Sequence, residues 1–342
     1  MEIRKLQATG GSSYVISLPK SWVNRCRIGK GDPVGIIVQK DGTLILTPRV
    51  TDKEVARIKR FSIEDFDGPI ILFRCLIGAY VSGFDYIELQ GKGDLPLYVK
   101  DVVRRFTKVT IGPEIIEESR GRILLKDLLD PMEMSIGQII RRMSTIVKGM
   151  HEDVVQALIT RVENAREIID DVLKRDDEVD RLYWLTMRQT NMISKNWMMA
   201  EKMGISPNES IYYFRIGRII ERIGDHASII ALNSIDLIDK RLDGELLSMI
   251  GSASSLSLMI FRGAMDTFFK KDLKGANDNI ESIKKLEKAC NELNHMILQQ
   301  KGSLSFMLAR IVESIRRTGE YSGDISENVI NFLIDVDDPQ RS

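Results

Sequence analysis

The residues best placed to do chemistry are carboxylates. Asp176 and Asp180 are four apart, and so are Glu221 and Asp225. On a helix that spacing makes each pair neighbours on one face. Two such pairs on facing helices supply four or more hard oxygen ligands, a donor set that suits Mg²⁺, Mn²⁺ or iron. Further along, Glu287, Glu320 and Asp324 repeat the arrangement, with Asn291 where a fourth acid would complete it. Carboxylates four apart are also common on solvated helices, so the spacing leaves both a cation site and a plain surface open. Asp176 falls close to an apolar stripe, whereas Glu221 and Asp225 face away from theirs. His226 adjoins Asp225, as a further ligand or as a surface histidine, and His151 and His295 stand alone. There is no HExxH, nucleophile elbow or dinucleotide fingerprint, so no enzyme is expected.

These side chains need helices to position them. Over Arg218 to Ser234, Ile216, Ile219, Ile220, Ile223, Ala227 and Ile230 recur at three- and four-residue steps and form one apolar stripe. Gly217, Gly224 and Ala231 recur every seven residues on another line, where a second helix can approach closely. Upstream, Ile136, Ile139, Ile140, Met143, Val147, Met150, Val154 and Leu158 form a long stripe. A helix from near Glu163 carries Ile169, Val172, Val179 and Tyr183. The pattern then repeats. Ala165–Trp184 aligns with Ala276–His295 at an offset of 111 residues, and Glu221–Asn233 aligns with Glu320–Phe332 at an offset of 99. Helices near Leu246 and Leu304 complete two three-helix units. Met192, Met198, Met199 and Met203 read as gap-filling core.

The E-R-I-G-D-H-A run resembles the signature of PhoU-type phosphate-uptake regulators, here of an archaeal type. The doubled three-helix architecture is theirs as well, over about 200 residues. The resemblance implies metal held by repeated E/D-x-x-x-D motifs on the bundle surface. It also implies docking on a phosphate ABC transporter ATPase or a sensor kinase.

The chain has 342 residues, 43% of them apolar and 29% charged, with 49 basic and 49 acidic side chains. That is an ordinary globular composition with no overall demand for a polyanion. Cys26, Cys75 and Cys290 show no CxxC spacing, which argues against a disulfide framework. No signal peptide or run of about 20 apolar residues is evident. The expected location is the cytoplasm, without membrane insertion.

Charge is concentrated at the N-terminus, where residues 1–48 hold seven Lys/Arg against Glu2, Asp32 and Asp41. Ile3, Leu6, Tyr14, Ile16 and Leu18 alternate with polar residues around Gly10–Ser13, as two strands and a turn. Pro19 opens a short helix, and Asp41-Gly42 joins a hairpin between Val34–Val38 and Leu44–Leu46. So small a segment needs a second copy to complete its core. The order GGSSYVISLPKSWVNRCRIGKGDPV resembles the AbrB/MazE/SpoVT swapped-hairpin domain, in which two chains interlock and a basic face binds DNA. The resemblance nominates Arg4, Lys5, Lys20 and Arg25 as phosphate contacts. A dimerisation module with a merely solvated basic face is the competing reading.

The expected fold is thus multidomain. A small all-β swapped-hairpin domain (1–48) precedes an α/β middle segment (49–135) and an all-α tandem three-helix bundle (136–338, repeats about 136–240 and 241–338). In the middle segment, 52–60 is expected as a helical connector, 69–82 and 95–106 as helices, and 86–89, 109–111, 114–117 and 122–125 as strands. It carries no functional signal.

Overall fold

The computed structural model describes residues 2–11, 13–38, 42–48, 56–300 and 302–336. The chain divides into two compact units, residues 1–55 with 336–342, and residues 56–335.

In the first unit, strands β1 (Gln7–Thr9) and β2 (Ser13–Val15) pair antiparallel, with Ala8 opposite Tyr14. Helix α1 (Lys20–Cys26) follows, then the antiparallel hairpin of β3 (Gly35–Val38) and β4 (Leu44–Thr47). The turn between Thr9 and Ser13 uses Gly10 and Gly11 at φ of 61° and 83°, a backbone only glycine adopts cheaply. Asp41 of the expected Asp-Gly turn lies outside the described residues. Among the described residues of 2–48 none is buried. Ile3, Leu6, Tyr14, Ile36, Val38 and Leu44 are each more than 60% exposed.

The second unit begins with a four-stranded sheet of order β5-β6-β8-β7. Its strands are β5 (Ile58–Ser62), β6 (Tyr86–Gln90), β7 (Pro113–Glu118) and β8 (Arg122–Asp127). Strands β5 and β6 are parallel and the other pairs antiparallel, with a bulge between Ile115 and Glu117. Helices α2 (Pro69–Val81) and α3 (Leu97–Val109) cover the sheet over Leu72, Leu76, Leu89, Val99, Phe106 and Ile123. Two local expectations are corrected. The 52–60 stretch is not helical at its end, because Ile58–Arg60 pair with Tyr86–Glu88; residues 51–55 lie outside the described ones. Of the expected strand at 109–111, Val109 ends α3 and Thr110–Ile111 lead into a turn at Gly112, φ 105°.

Six long helices make the bundle: α4 (Ile136–Thr160), α5 (Ala165–Lys195), α7 (Pro207–Ser234), α8 (Gly244–Lys270), α9 (Leu273–Ile297) and α10 (Ser303–Val336). Their starts are chemically marked. Ser135 and Gln138 close a capping box on α4, and Ser206, Asp243 and Asp272 cap α7, α8 and α9. A short helix, α6 (Trp197–Met203), lies between α5 and α7, and its counterpart connection is only residues 298–302. The longer first connection accounts for about half of the twelve-residue difference between the offsets, and shifted helix ends for the rest. Its Met199 and Met203 pack with Met192 and Ile193 in a satellite core.

The sheet is fastened to the bundle through α5. Arg188 pairs with Asp127 at 2.6 Å, with both side chains under 10% exposed. Arg188 also donates to the Tyr80 carbonyl at 2.6 Å, Asn191 to that of Val81 at 2.9 Å, and Lys195 to that of Ser82 at 3.3 Å. Arg181 reaches the Thr110 carbonyl. Cationic and amide donors thus satisfy the carbonyls that helices α2 and α3 leave open at their C-termini.

Candidate functional site

The small-residue line of α7 lets α5 and α4 come close. A Cβ on Gly224 would meet Val147 Cγ2 at 3.3 Å, Val179 Cγ1 at 3.5 Å and Asp176 Oδ1 at 3.7 Å. A Cβ on Gly217 would meet Ile140 and Thr186 at 3.2 Å each. This approach brings Asp176 and Asp180 of α5 to Glu221 and Asp225 of α7. The face of α7 opposite the isoleucine stripe is therefore not plain surface, and the Glu221 side chain retains only 12% exposure.

The four carboxylates feel one another. Burial, then the neighbouring Asp225, holds Asp176 above the usual carboxylate range. Asp180 is pushed up to about 6 by burial and by Asp176 and Asp225. Glu221 is pushed up to about 7 by burial and by Asp225, against the pull of Arg218. Asp225 is raised by desolvation, opposed by Arg218 and Arg222. Arg218 donates to Glu221 Oε1 at 2.7 Å, while Glu221 Oε2 is buried without a partner. A divalent cation would relieve both the repulsion and the orphaned oxygen, so the donor set fits a hard ion. Among the described residues, no three His, Cys, Asp or Glu side chains converge on a single ligand point.

The second repeat handles its charge differently. At the same 99-residue offset, Arg316 stands where the first repeat has Gly217, and Arg317 where it has Arg218. Glu320 is engaged by Arg316 and, at 3.2 Å, by Arg317, and Arg316 also holds Glu313 at 2.7 Å. Asp324 is raised by burial and by Glu327 and Glu320. Glu287 is exposed and forms no ion pair with either among the described residues. Glu320 and Asp324 therefore lie near each other, and Glu287 stands outside.

The histidines also differ from expectation. His226 is half-buried; its ring lies 5.6 Å from that of Tyr321 and its Nδ1 is buried without a partner. His151 is fully buried with both nitrogens unpartnered, and burial followed by the field of His226 lowers its pKa to about 4. Sequence reasoning missed Arg218, Arg222 and Arg316; for Arg316 the available signal was its alignment with Gly217 across the repeats.

At the N-terminus, Lys5, Lys20 and Arg25 are exposed and unpaired among the described residues, whereas Arg4 pairs with Glu2 at 2.6 Å.

Residues 140–233 match the PhoU domain, and residues 7–54 match the MazE family, "Antidote-toxin recognition MazE, bacterial antitoxin". No curated protein matches the chain. In fold, the chain is similar to the phosphate transport system regulatory protein PhoU from Streptococcus pneumoniae. That likeness has a TM-score of 0.50 at 15% identity, over 58% of this chain and 93% of that one. It is also similar to PhoU from Pseudomonas aeruginosa, with a TM-score of 0.50 at 19% identity over 59% of this chain and 96% of that one. A helical bundle with a PhoU domain, preceded by an α/β segment and a small β-rich unit with a MazE-type domain, is the organisation of this protein.

Proposed function

We propose that the protein is a DNA-binding transcriptional regulator of phosphate uptake. Its PhoU domain indicates phosphate-uptake regulation, and its MazE-type domain is compatible with DNA binding. The observation that carries the reading is the coreless first unit. Two hairpins that expose Ile3, Leu6, Ile36, Val38 and Leu44 call for a second copy of themselves. A homodimer so formed doubles the surplus of Lys5, Lys20 and Arg25, joined by Arg4, toward DNA phosphates. Such contacts give an affinity that falls steeply with salt.

In this reading the first helical repeat is the sensor. Asp176, Asp180, Glu221 and Asp225 hold Mg²⁺, Mn²⁺ or iron, and Glu320 and Asp324 form a lesser counterpart without Glu287. The cation supplies the positive charge the cluster lacks. The protein performs no catalysis and works in the cytoplasm. Helix α8 is long and apolar enough to cross a membrane, but half of its apolar stretch is buried inside the protein, which supports a role as a core helix.

The test is selection of genomic DNA fragments by the full chain beside a version lacking residues 1–48. Enrichment of a discrete site by the full chain alone supports the proposal. If neither enriches a site, the second reading takes over: an adaptor that acts on a phosphate transporter ATPase or sensor kinase by contact. The PhoU domain favours that reading independently of the first unit.

A further inference from the structure

A groove in the α/β segment has the chemistry of a docking site, and nothing above depends on it. Pro69, Ile70, Phe73 and Val102 line it, Arg74 and Arg105 edge it, and its volume is about 350 Å³. Ile70 is 68% exposed and the adjacent Ile71 is 44% exposed, so apolar surface continues out of the groove along the first turn of α2. That turn starts at Gly68-Pro69 with no side-chain cap.

The two arginines decide the sign of the occupant. Neither forms an ion pair among the described residues. Arg105 follows Asp101 by four residues, the spacing at which a helical ion pair forms. Its guanidinium lies instead 4.5 Å over the ring of Phe73. Placed over the ring, it is available to grip a carboxylate through two hydrogen bonds. Arg74 lies one residue beyond Phe73 on the same rim.

We propose that this groove binds a short acidic segment of a partner protein. One apolar side chain enters between Phe73 and Val102, and flanking Asp or Glu side chains pair with Arg74 and Arg105. Apolar walls and an exposed apolar margin fit a peptide anchor, with the arginines setting its orientation.

The experiment uses the full chain and three sets of fluorescent ten-residue peptides, each centred on Leu, Ile or Phe. The flanks are Asp/Glu, Ser or Lys/Arg, and binding is read by anisotropy. Acid-flanked peptides should bind at least tenfold more tightly than Ser-flanked ones. The Arg74→Glu/Arg105→Glu variant should lose that preference and turn to the Lys/Arg set. Both substituted residues are exposed, so its melting temperature should match the parent, and the gained preference is itself proof of a folded groove. Equal binding of acid- and Ser-flanked peptides, or an unchanged preference in the variant, overturns the proposal. So does competition-free binding of pyrophosphate at Arg105 with no peptide bound, which would make the groove a small-anion site. Self-association of the parent that the variant abolishes would assign it to a second copy instead, and also overturns the proposal.

Discussion

The two helical repeats share an architecture but not a balance of polar groups. In the first, His151, Arg161, Glu221, His226 and Ser234 all leave buried side-chain atoms without a partner. Among the described residues every such atom lies between positions 151 and 234, and the second repeat has none. There the buried hydroxyls of Thr318, Ser322 and Ser326 each donate to the carbonyl four residues back, and Arg316 and Arg317 match Glu313 and Glu320. Buried unmatched groups cost stability and persist where something else needs them. The second repeat pairs its buried polar side chains internally, whereas the first leaves several of its own unpaired.

The largest expected effect comes from His151. Its folded pKa of about 4 lies below the unfolded value of 6.5. Its contribution is therefore intact above pH 6.5 and is lost as pH falls toward 4, by about 3 kcal/mol. His151→Leu should flatten the stability–pH curve in that window, as denaturant titrations at stepped pH will show. An unchanged curve would remove the histidine from the contrast between repeats.

Cation binding comes next. Asp180 and Glu221 have folded values of about 6 and 7, above their unfolded ones, so they are ionised at a cost as pH rises through that range. Saturating Mg²⁺ or Mn²⁺ should raise Tm by roughly 5–10 °C at pH 8, for about 3 kcal/mol at a hundredfold excess over Kd. The rise should shrink at pH 5.5, where protons hold the site. Asp180→Asn with Glu221→Gln should abolish it and Glu320→Gln should not; if Glu320→Gln abolishes it instead, the repeats have been assigned the wrong way round.

A smaller effect is expected from Arg316→Ala, about 1 kcal/mol for a partly exposed ion-pair network. Removing the built-in cation should let Glu320 and Asp324 accept an external one, raising the bound-metal count measured after dialysis. An unaltered count would mean that the arginine does not stand in for a metal. Smallest of all, Gly224→Ala gains helix propensity of about 1 kcal/mol and crowds Val147 at 3.3 Å. The two should nearly cancel in a thermal melt, and a large loss would show the α5–α7 approach to be tighter than the packing distances imply.

Much of the bundle is legible in the sequence because its signals are periodic. The isoleucine stripe of α7, the glycine line that admits α5, and the two unequal offsets all survive into three dimensions. Sequence patterns said less where partners are distant. Ile58–Arg60 reads as charged connector, yet its strand identity comes from pairing with Tyr86–Glu88. Arg188 looks like one more helical arginine until Asp127, 61 positions earlier in the chain, is placed 2.6 Å from it. For the candidate site, acid spacing identified the residues of α5 and α7 but not that Arg316 fills the corresponding space in the second repeat. It also placed His226 on the surface, whereas its half-buried ring lies beside Tyr321 of the other repeat.

The exposed hairpins of the first unit have a consequence for dosage. In the proposed homodimer the core is completed only by pairing, so folding of that unit is second order in chain concentration. Below its dissociation constant, doubling the number of chains quadruples the number of paired units. On that proposal the amount of protein becomes an input alongside any ligand, and the paired form responds more than proportionally to a change in expression.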